Sequence, residues 1–244
     1  MNLQNPNLQK YHDNGFEEVH GWCDTYLFET IDLLSRQQIN RRGGIAEIGV
    51  HHGRLFILLN QVVESQYNSY AIDVFSNQML NIDKSGGGNV EIFKENLQKY
   101  DVHQGRNTVI IEGDSTDPGL KLDQIIEPGS LRFFSIDGGH TPTHVMNDLQ
   151  IANKLISNEG IVIVDDILNH WWTGVLEGYV NFAATKPTLV PIAMGHNKLY
   201  MCKLSYYKYY LDIMNSIDFN GPKSIGNFFG TDIVRYKYWK QLPW

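Results

Sequence analysis

Two apolar runs of the chain end in acidic residues: LRFFSIDGGH at residues 131–140 and GIVIVDD at residues 160–166. Both runs predict buried parallel strands, and the helix-length stretch 141–158 separates them. Two parallel strands joined by such a crossover have their carboxyl ends at the same edge of a sheet. The sequence therefore predicts that one imidazole and three carboxylates converge where ligands of open α/β sheets bind: His140, Asp137, Asp165 and Asp166.

Carboxylates gathered at one edge repel one another unless a positive charge lies between them. A bound cation is the natural counter-ion, because carboxylate oxygens are the ligands that hard divalent cations prefer. The alternative is a solvated acid at one of the positions 165 and 166 and a helix N-cap at the other.

The rest of the chain alternates predicted strands and helices. Strands are predicted over residues 44–50, 69–74 and 108–112, before the two acidic strands. Two further strands, 189–194 and 198–202, are joined by a link of three residues that predicts an antiparallel hairpin. The pattern predicts an α/β fold with a seven-stranded sheet, mostly parallel, that ends in an antiparallel C-terminal hairpin.

Composition divides the chain into three parts. Residues 1–39 are predicted to be an N-terminal helical lead-in, loose over its first fifteen residues, and residues 40–204 to be the main domain. Residues 205–244 form an aromatic-rich C-terminal extension, predicted to be a helix and irregular chain packed on the domain or on a partner subunit. The insertion 75–88 is predicted to be either a lid over the ligand or a surface loop.

Bulk properties limit the possible partners and the compartment. The 244 residues carry a formal net charge of −7, which argues against a nucleic-acid-binding surface. No apolar run is long enough to span a bilayer, and the N-terminus lacks the pattern of a signal peptide. Cys23 and Cys202 are far apart and lack the spacing of metal ligands, so reduced thiols in a cytoplasmic protein are expected.

The stretch EIGVHHG at residues 47–53 lies where the first strand turns into the first helix. Its glycines allow the backbone to approach a ligand closely, although the spacing is not the dinucleotide fingerprint. Tight strand–helix packing would explain the glycines equally well. Acids at the next two strand ends add weight to a ligand site, because Asp73 can accept hydrogen bonds from ribose hydroxyls and Asp114 from an exocyclic amine. Each of these acids is also a candidate N-cap.

The motifs follow one another in the order E-x-G-x-x-x-G, I-D, G-D-S, I-D-G-G-H and V-D-D. In this order, residues 40–204 resemble the class I S-adenosylmethionine-dependent methyltransferases. The D-G-G-H and D-D pair is most similar to the metal-dependent O-methyltransferases of sugar and macrolide tailoring, such as the macrocin and mycinamicin methyltransferases. Cephalosporin-hydroxylase-like proteins share this outline. The resemblance implies a Rossmann-like, doubly wound sheet.

The resemblance also implies a role for each motif. The first turn would line the methionine part of the cofactor, the second strand end the ribose and the third the adenine. The implied cofactor-binding residues are Glu47, Gly49, Gly53, Asp73, Asp114, Ser115 and Asp137. The implied ligands of a divalent cation, most often Mg²⁺, are Asp137, Asp165 and Asp166.

His140 is implied to be the general base that takes the proton of the acceptor hydroxyl. Alternatively, His140 is a residue at the start of a helix that is hydrogen-bonded to the backbone. Asp137 could instead contact only the cofactor. Trp171 and Trp172 either wall the acceptor pocket or divide between core and surface. His144 is expected to be a bystander, and His51-His52 departs from the small or polar residues of many relatives.

The predicted function is S-adenosylmethionine- and Mg²⁺-dependent methylation of a hydroxyl of a small molecule. A sugar or glycosylated natural product is favoured as the methyl acceptor. The alternative is a catechol-type O-methyltransferase, whose acceptor would be a catechol. A nicotinamide-dependent oxidoreductase is disfavoured by the glycine spacing, and a non-catalytic nucleotide-binding module by the retained acids and His140. Neither nucleic acid nor membrane is an expected partner, and the aromatic extension favours a homo-oligomer.

Overall fold

A computed structural model describes residues 2–217 and 222–236 of the chain. Its strands are β1 (Gly44–Ile48), β2 (Ser69–Asp73), β3 (Thr108–Glu112), β4 (Leu131–Ile136), β5 (Ile156–Val164), β6 (Leu189–Gly195), β7 (Lys198–Lys203), β8 (Lys223–Phe228) and β9 (Thr231–Tyr236). Its α-helices are α1 (Pro6–Asn14), α2 (Leu27–Gln37), α3 (Arg54–Asn60), α4 (Val90–Tyr100), α5 (Leu122–Ile125), α6 (Pro142–Leu155), α7 (Thr173–Ala184) and α8 (Tyr207–Ser216).

The described strands form one sheet in the order β3-β2-β1-β4-β5-β7-β6-β9-β8. Neighbours are parallel from β3 to β5, and β7 runs antiparallel to both β5 and β6. The chain builds outward from β1 to β3 and then returns to place β4 on the other side of β1. This reversal makes the β1/β4 boundary the topological switch point, where ligands of open α/β sheets bind.

The α/β fold with a mostly parallel sheet is confirmed, and the strand count is larger than predicted. The sheet of the described residues has nine strands instead of seven, because the C-terminal extension adds the antiparallel hairpin β8–β9 beside β6. The outer strand β8 is mostly exposed, whereas Ile233 and Val234 of β9 are buried. The extension was predicted to be irregular after its helix, so that expectation was wrong. Its aromatic residues Tyr238, Trp239 and Trp244 lie outside the described residues.

The first fifteen residues are not a loose lead-in, because they contain α1. Asn5 caps this helix by accepting hydrogen bonds from the backbone N–H groups of residues 7 and 8, and Pro6 occupies its first turn. Leu8 and Tyr11 are buried, and the Tyr11 ring lies 5.9 Å from the ring of Phe16. The helix was missed because only two of its residues face the core.

Both faces of the sheet are covered, which places the apolar core in two layers. Alternate residues of one strand belong to opposite layers, as Phe133 and Phe134 of β4 show. Helices α2 and α3 pack on one face, and α6 and α7 pack on the other. Within the described ranges, no helix is both long and apolar enough to cross a membrane.

Candidate active site

A cavity of about 870 Å³ opens at the carboxyl ends of the parallel strands, across the switch point between β1 and β4. This volume lies in the range of small-molecule sites. The segment 75–88 forms one wall of the cavity, which favours the lid interpretation over that of a surface loop. The residues of this segment that line the cavity are Gln78, Leu80, Asn81, Ile82, Asp83, Ser85, Gly86, Gly87 and Gly88.

Two glycines make the turn after β1 possible. Gly49 and Gly53 have φ angles of +86° and +92°, in the left-handed region that disfavours side chains. A Cβ on Gly49 would lie 1.8 Å from the carbonyl oxygen of Asp137, so a glycine is required where the ends of β1 and β4 approach. Gly49 lines the cavity.

Glu47 is buried beneath this turn. Burial raises the pKa of its carboxyl group well above the usual value, although the positive charge of Lys198 opposes the rise. Its Oε2 has no hydrogen-bond partner among the described residues, which is costly for a buried acceptor. Glu47 and Gly53 are not among the described residues that line the cavity, so their contact with a cofactor stays a prediction.

Asp73, at the end of β2, uses both carboxylate oxygens to hold the loops around it. One oxygen accepts the backbone N–H of His51 at 2.7 Å and the other accepts that of Phe75 at 2.5 Å. Burial raises the pKa of Asp73, and these hydrogen bonds act against the rise. Asp73 lines the cavity, at the position where an acid of this fold can also accept from a ribose.

Asp114 follows β3 and also lines the cavity, together with Ser115. Its Oδ1 accepts from the N–H and the hydroxyl of Thr116, both at 2.8 Å, and lies 3.3 Å from Nε2 of His144. Burial alone would raise the pKa of Asp114, but the Thr116 bonds and His144 lower it. His144 therefore lies beside the acid predicted to hold the adenine, and it also lines the cavity.

Asp137, His140 and Asp166 lie together at the ends of β4 and β5. The His140 Nε2 atom is 3.2 Å from Asp166 Oδ2 and 3.8 Å from Asp137 Oδ1. Asp166 has a φ of +58°, and Asn169 donates to its Oδ1 at 2.8 Å. Burial and the charge of Asp165 raise the pKa of Asp137 well above its usual value. A negative charge on Asp137 is therefore costly here, and a bound cation would offset that cost.

Asp165 faces a different partner. Its Oδ2 contacts the ammonium group of Lys198, a buried residue of β7, and its Oδ1 accepts the backbone N–H of Asp166 at 2.8 Å. Burial acts to lower the pKa of Lys198, but the Asp165 carboxylate raises it. Sequence reasoning missed this lysine. A charged residue at the start of an apolar strand, directly after a hairpin link, was the available signal.

His140 has a second carboxylate partner that the sequence did not reveal. Asp83 accepts the backbone N–H of His140 at 2.7 Å, and the same oxygen lies 2.7 Å from its Nδ1. Ser85 donates its hydroxyl to the other oxygen of Asp83 at 2.6 Å. Burial acts to lower the pKa of His140, but Asp166 and Asp83 raise it to about 9.

The two neighbouring tryptophans have different environments. Trp172 lines the cavity and stacks on His140, with ring centroids 4.4 Å apart and planes inclined by 18°. Trp171 is 77% exposed. One member of the pair therefore walls the site beside the imidazole.

The order β3-β2-β1-β4-β5-β7-β6, with β7 antiparallel to its neighbours, is that of a Rossmann-like methyltransferase fold. A family model described as a methyltransferase domain matches residues 46–167, half of the chain. The chain belongs to this family, and the predicted resemblance to class I methyltransferases is confirmed. No curated protein sequence matches the chain.

Solved structures of O-methyltransferases share the fold at low sequence identity. NovP is 18% identical with a TM-score of 0.56, over 72% of this chain and 78% of that one. CalS11, a TDP-rhamnose 3'-O-methyltransferase of calicheamicin biosynthesis, is 16% identical with a TM-score of 0.52, over 80% and 91%. An O-methyltransferase from Bacillus cereus in complex with SAH is 15% identical with a TM-score of 0.54, over 80% and 89%.

Proposed function

We propose that the protein transfers the methyl group of S-adenosylmethionine to a hydroxyl of a small molecule, with the help of a divalent cation. The proposed acceptor is a sugar or a glycosylated natural product. One observation carries the proposal: a carboxylate–imidazole cluster lines the same cavity as the acids predicted to hold the cofactor. That cluster consists of Asp137, His140 and Asp166.

The donor atoms of this cluster fit a hard divalent cation such as Mg²⁺. Two carboxylates and one imidazole offer atoms that lie within 4.8 Å of one another, and carboxylate oxygens suit Mg²⁺. When bound, the cation would supply positive charge that stabilises a deprotonated hydroxyl and opposes the rise in the pKa of His140. We propose Asp137 and Asp166 as ligands, and Asp165 as a third if it shares its oxygens with Lys198.

We propose that His140 takes the proton of the acceptor. A hydrogen on Nδ1 can be donated to Asp83, and this tautomer leaves the lone pair of Nε2 directed toward the Asp137–Asp166 side. As the acceptor oxygen bonds to the methyl carbon, the carbon–sulfur bond breaks and Nε2 receives the hydroxyl proton. Asp83 orients the imidazole and stabilises its protonated form, as an acid partner does for a histidine base.

Trp172 supports an acceptor with a ring. Its side chain walls the cavity beside His140, and pockets for small molecules are commonly lined by aromatic side chains. The fold-level likeness to CalS11, whose description names a sugar nucleotide methyltransferase, supports a sugar within this class. A catechol would use the same cation and base, so the acceptor has to be established by assay.

The proposal is tested by incubating the full chain with S-adenosylmethionine, Mg²⁺ and a panel of acceptors while the S-adenosylhomocysteine formed is measured. The panel contains nucleoside diphosphate sugars, glycosides with neighbouring hydroxyls, and catechol. We expect turnover of a sugar hydroxyl that EDTA abolishes and Mg²⁺ restores. A variant of an exposed acid outside the cavity, Asp123→Asn, serves as the control with wild-type activity.

Each outcome decides one part of the proposal. Turnover that persists in EDTA would contradict the role of the cation. Methylation of catechol alone would favour the catechol-type enzyme. Calorimetric binding of S-adenosylmethionine without transfer to any acceptor would favour the non-catalytic binding module.

A further inference from the structure

Three histidines outside the reacting cluster lie together beside the cavity. His20 lies in the segment between α1 and α2, whereas His51 and His52 follow β1 in the turn that leads to α3. Each offers a ring nitrogen, and these atoms lie within 4.8 Å of one another. The methyl-transfer chemistry proposed above assigns no task to any of them.

The rings are close enough to share one ion. Ring centroids are 4.0 Å apart for His51 and His52, 5.2 Å for His20 and His51, and 5.7 Å for His20 and His52. His51 adopts a φ of +54°, uncommon for a residue with a side chain, and the Asp73 carboxylate holds its backbone N–H. Strain of this kind is often retained where it places a functional group.

One of the imidazoles is also oriented for metal binding. The Nδ1 atom of His51 lies 3.3 Å from the carbonyl oxygen of His20. A hydrogen donated there leaves Nε2 free, which is the arrangement that a backbone carbonyl gives to metal-binding histidines.

We infer that His20, His51 and His52 form a binding site for one divalent transition-metal ion such as Zn²⁺. Imidazole nitrogens suit Zn²⁺, Ni²⁺ and Cu²⁺, and three histidines leave a coordination position open. A hard cation such as Mg²⁺ prefers the oxygen atoms of the reacting cluster instead. The two sites therefore differ in the metal that they select.

A metal at this site would join two walls of the cavity. The segment that carries His20 continues into Gly21 and Trp22, which line the cavity, and His51 lines it from the turn after β1. An ion shared by these histidines would hold the segment against the turn. Its effect would reach Asp73, because the carboxylate of Asp73 already accepts the N–H of His51.

The test is a calorimetric titration of the untagged full chain with Zn²⁺ in excess Mg²⁺. It is repeated in the Asp137→Asn/Asp166→Asn double variant, so that the reacting cluster contributes no ligand carboxylates. We expect one Zn²⁺ per chain in both proteins. In either background, His20→Asn and His52→Asn should each weaken Zn²⁺ binding by more than about tenfold.

A matched control is His170→Asn, which changes an exposed histidine outside the cluster and should leave Zn²⁺ binding unchanged.

Trp22 reports the location of the ion, because its ring lies 5.5 Å from that of His20 and 5.2 Å from that of His51. Bound Cu²⁺ should quench its fluorescence, and Trp22→Phe should remove the quenched component. Absence of Zn²⁺ binding in Mg²⁺, or wild-type Zn²⁺ affinity in folded His20→Asn and His52→Asn, would overturn the inference. Thermal melting establishes that each variant is folded.

Discussion

Asp148 is a buried carboxylate whose charge is expected to destabilise the protein at neutral pH. It lies on α6, is fully buried, and its Oδ1 accepts from the side chain of Asn147 at 3.1 Å. Burial raises its pKa from 3.8 to about 6, although hydrogen bonds from Ser115 and Asn147 act against the rise. Replacement by asparagine, Asp148→Asn, keeps the shape of the side chain and removes the charge.

The direction of the effect follows from proton linkage. Between pH 3.8 and about pH 6 the folded protein retains the Asp148 proton, whereas the unfolded chain has released it. The free energy of unfolding of the wild type therefore falls as the pH rises through this window. The two pKa values differ by about two pH units, which corresponds to roughly 3 kcal/mol. Above pH 6 the loss is complete and stays constant.

Urea unfolding of the wild type and of Asp148→Asn at several pH values between 4 and 8 measures this contribution. The free energy of unfolding of the variant, minus that of the wild type, should increase by roughly 2–2.5 kcal/mol between pH 4 and pH 7 and then level off. Glu127→Gln, which changes an exposed carboxylate, is the control and should show no comparable increase. A difference that does not depend on pH would refute the reasoning.

Three further changes test other contacts. Asp83→Asn removes the carboxylate that contacts His140, so the rate of methyl transfer should fall by roughly a hundredfold while calorimetry finds unchanged affinity for S-adenosylmethionine; an unchanged rate would contradict the orienting role of Asp83. Lys198→Met removes the buried partner of the partly buried Asp165 and should lower the free energy of unfolding in urea by up to about 3 kcal/mol. The Lys198→Met/Asp165→Asn double variant should recover most of this loss, and failure to recover would assign it to packing. Gly49→Ala directs a Cβ to within 1.8 Å of a carbonyl oxygen at the end of β4; it should abolish calorimetric binding of S-adenosylmethionine, and wild-type affinity would contradict the role of this turn.

The sequence predicted the parallel half of the sheet because each strand is a short apolar run that ends in a glycine or an acid. The carboxyl ends of parallel strands lie at the same edge of the sheet. The strand order alone therefore predicted that Asp137 lies close to Asp166. One strand boundary differs from the prediction. Strand β5 begins at Ile156, inside the stretch predicted to be helical, because Ile156 pairs with Leu131 of β4.

The missed partners come from parts of the chain whose position depends on tertiary packing. Lys198 lies on an antiparallel strand, and its register against β5 places it beside Asp165. No local pattern encodes that register. Asp83 belongs to a segment without α-helix or strand, so its path cannot be derived from periodicity. The strand β8 is largely exposed, and it therefore lacks the alternation that identifies a half-buried strand.

The segment 75–88 connects the two halves of the site. At its beginning, Phe75 donates its N–H to Asp73, and near its end a Cβ on Gly88 would lie 3.1 Å from the same carboxylate. Between these points, Asp83 holds both the backbone and the ring of His140. The acid predicted to bind the ribose and the imidazole proposed to take the proton are thus linked through one short segment. Hydrogen bonds weaken steeply with misalignment, so any change in this segment on cofactor binding would reach His140 through Asp83.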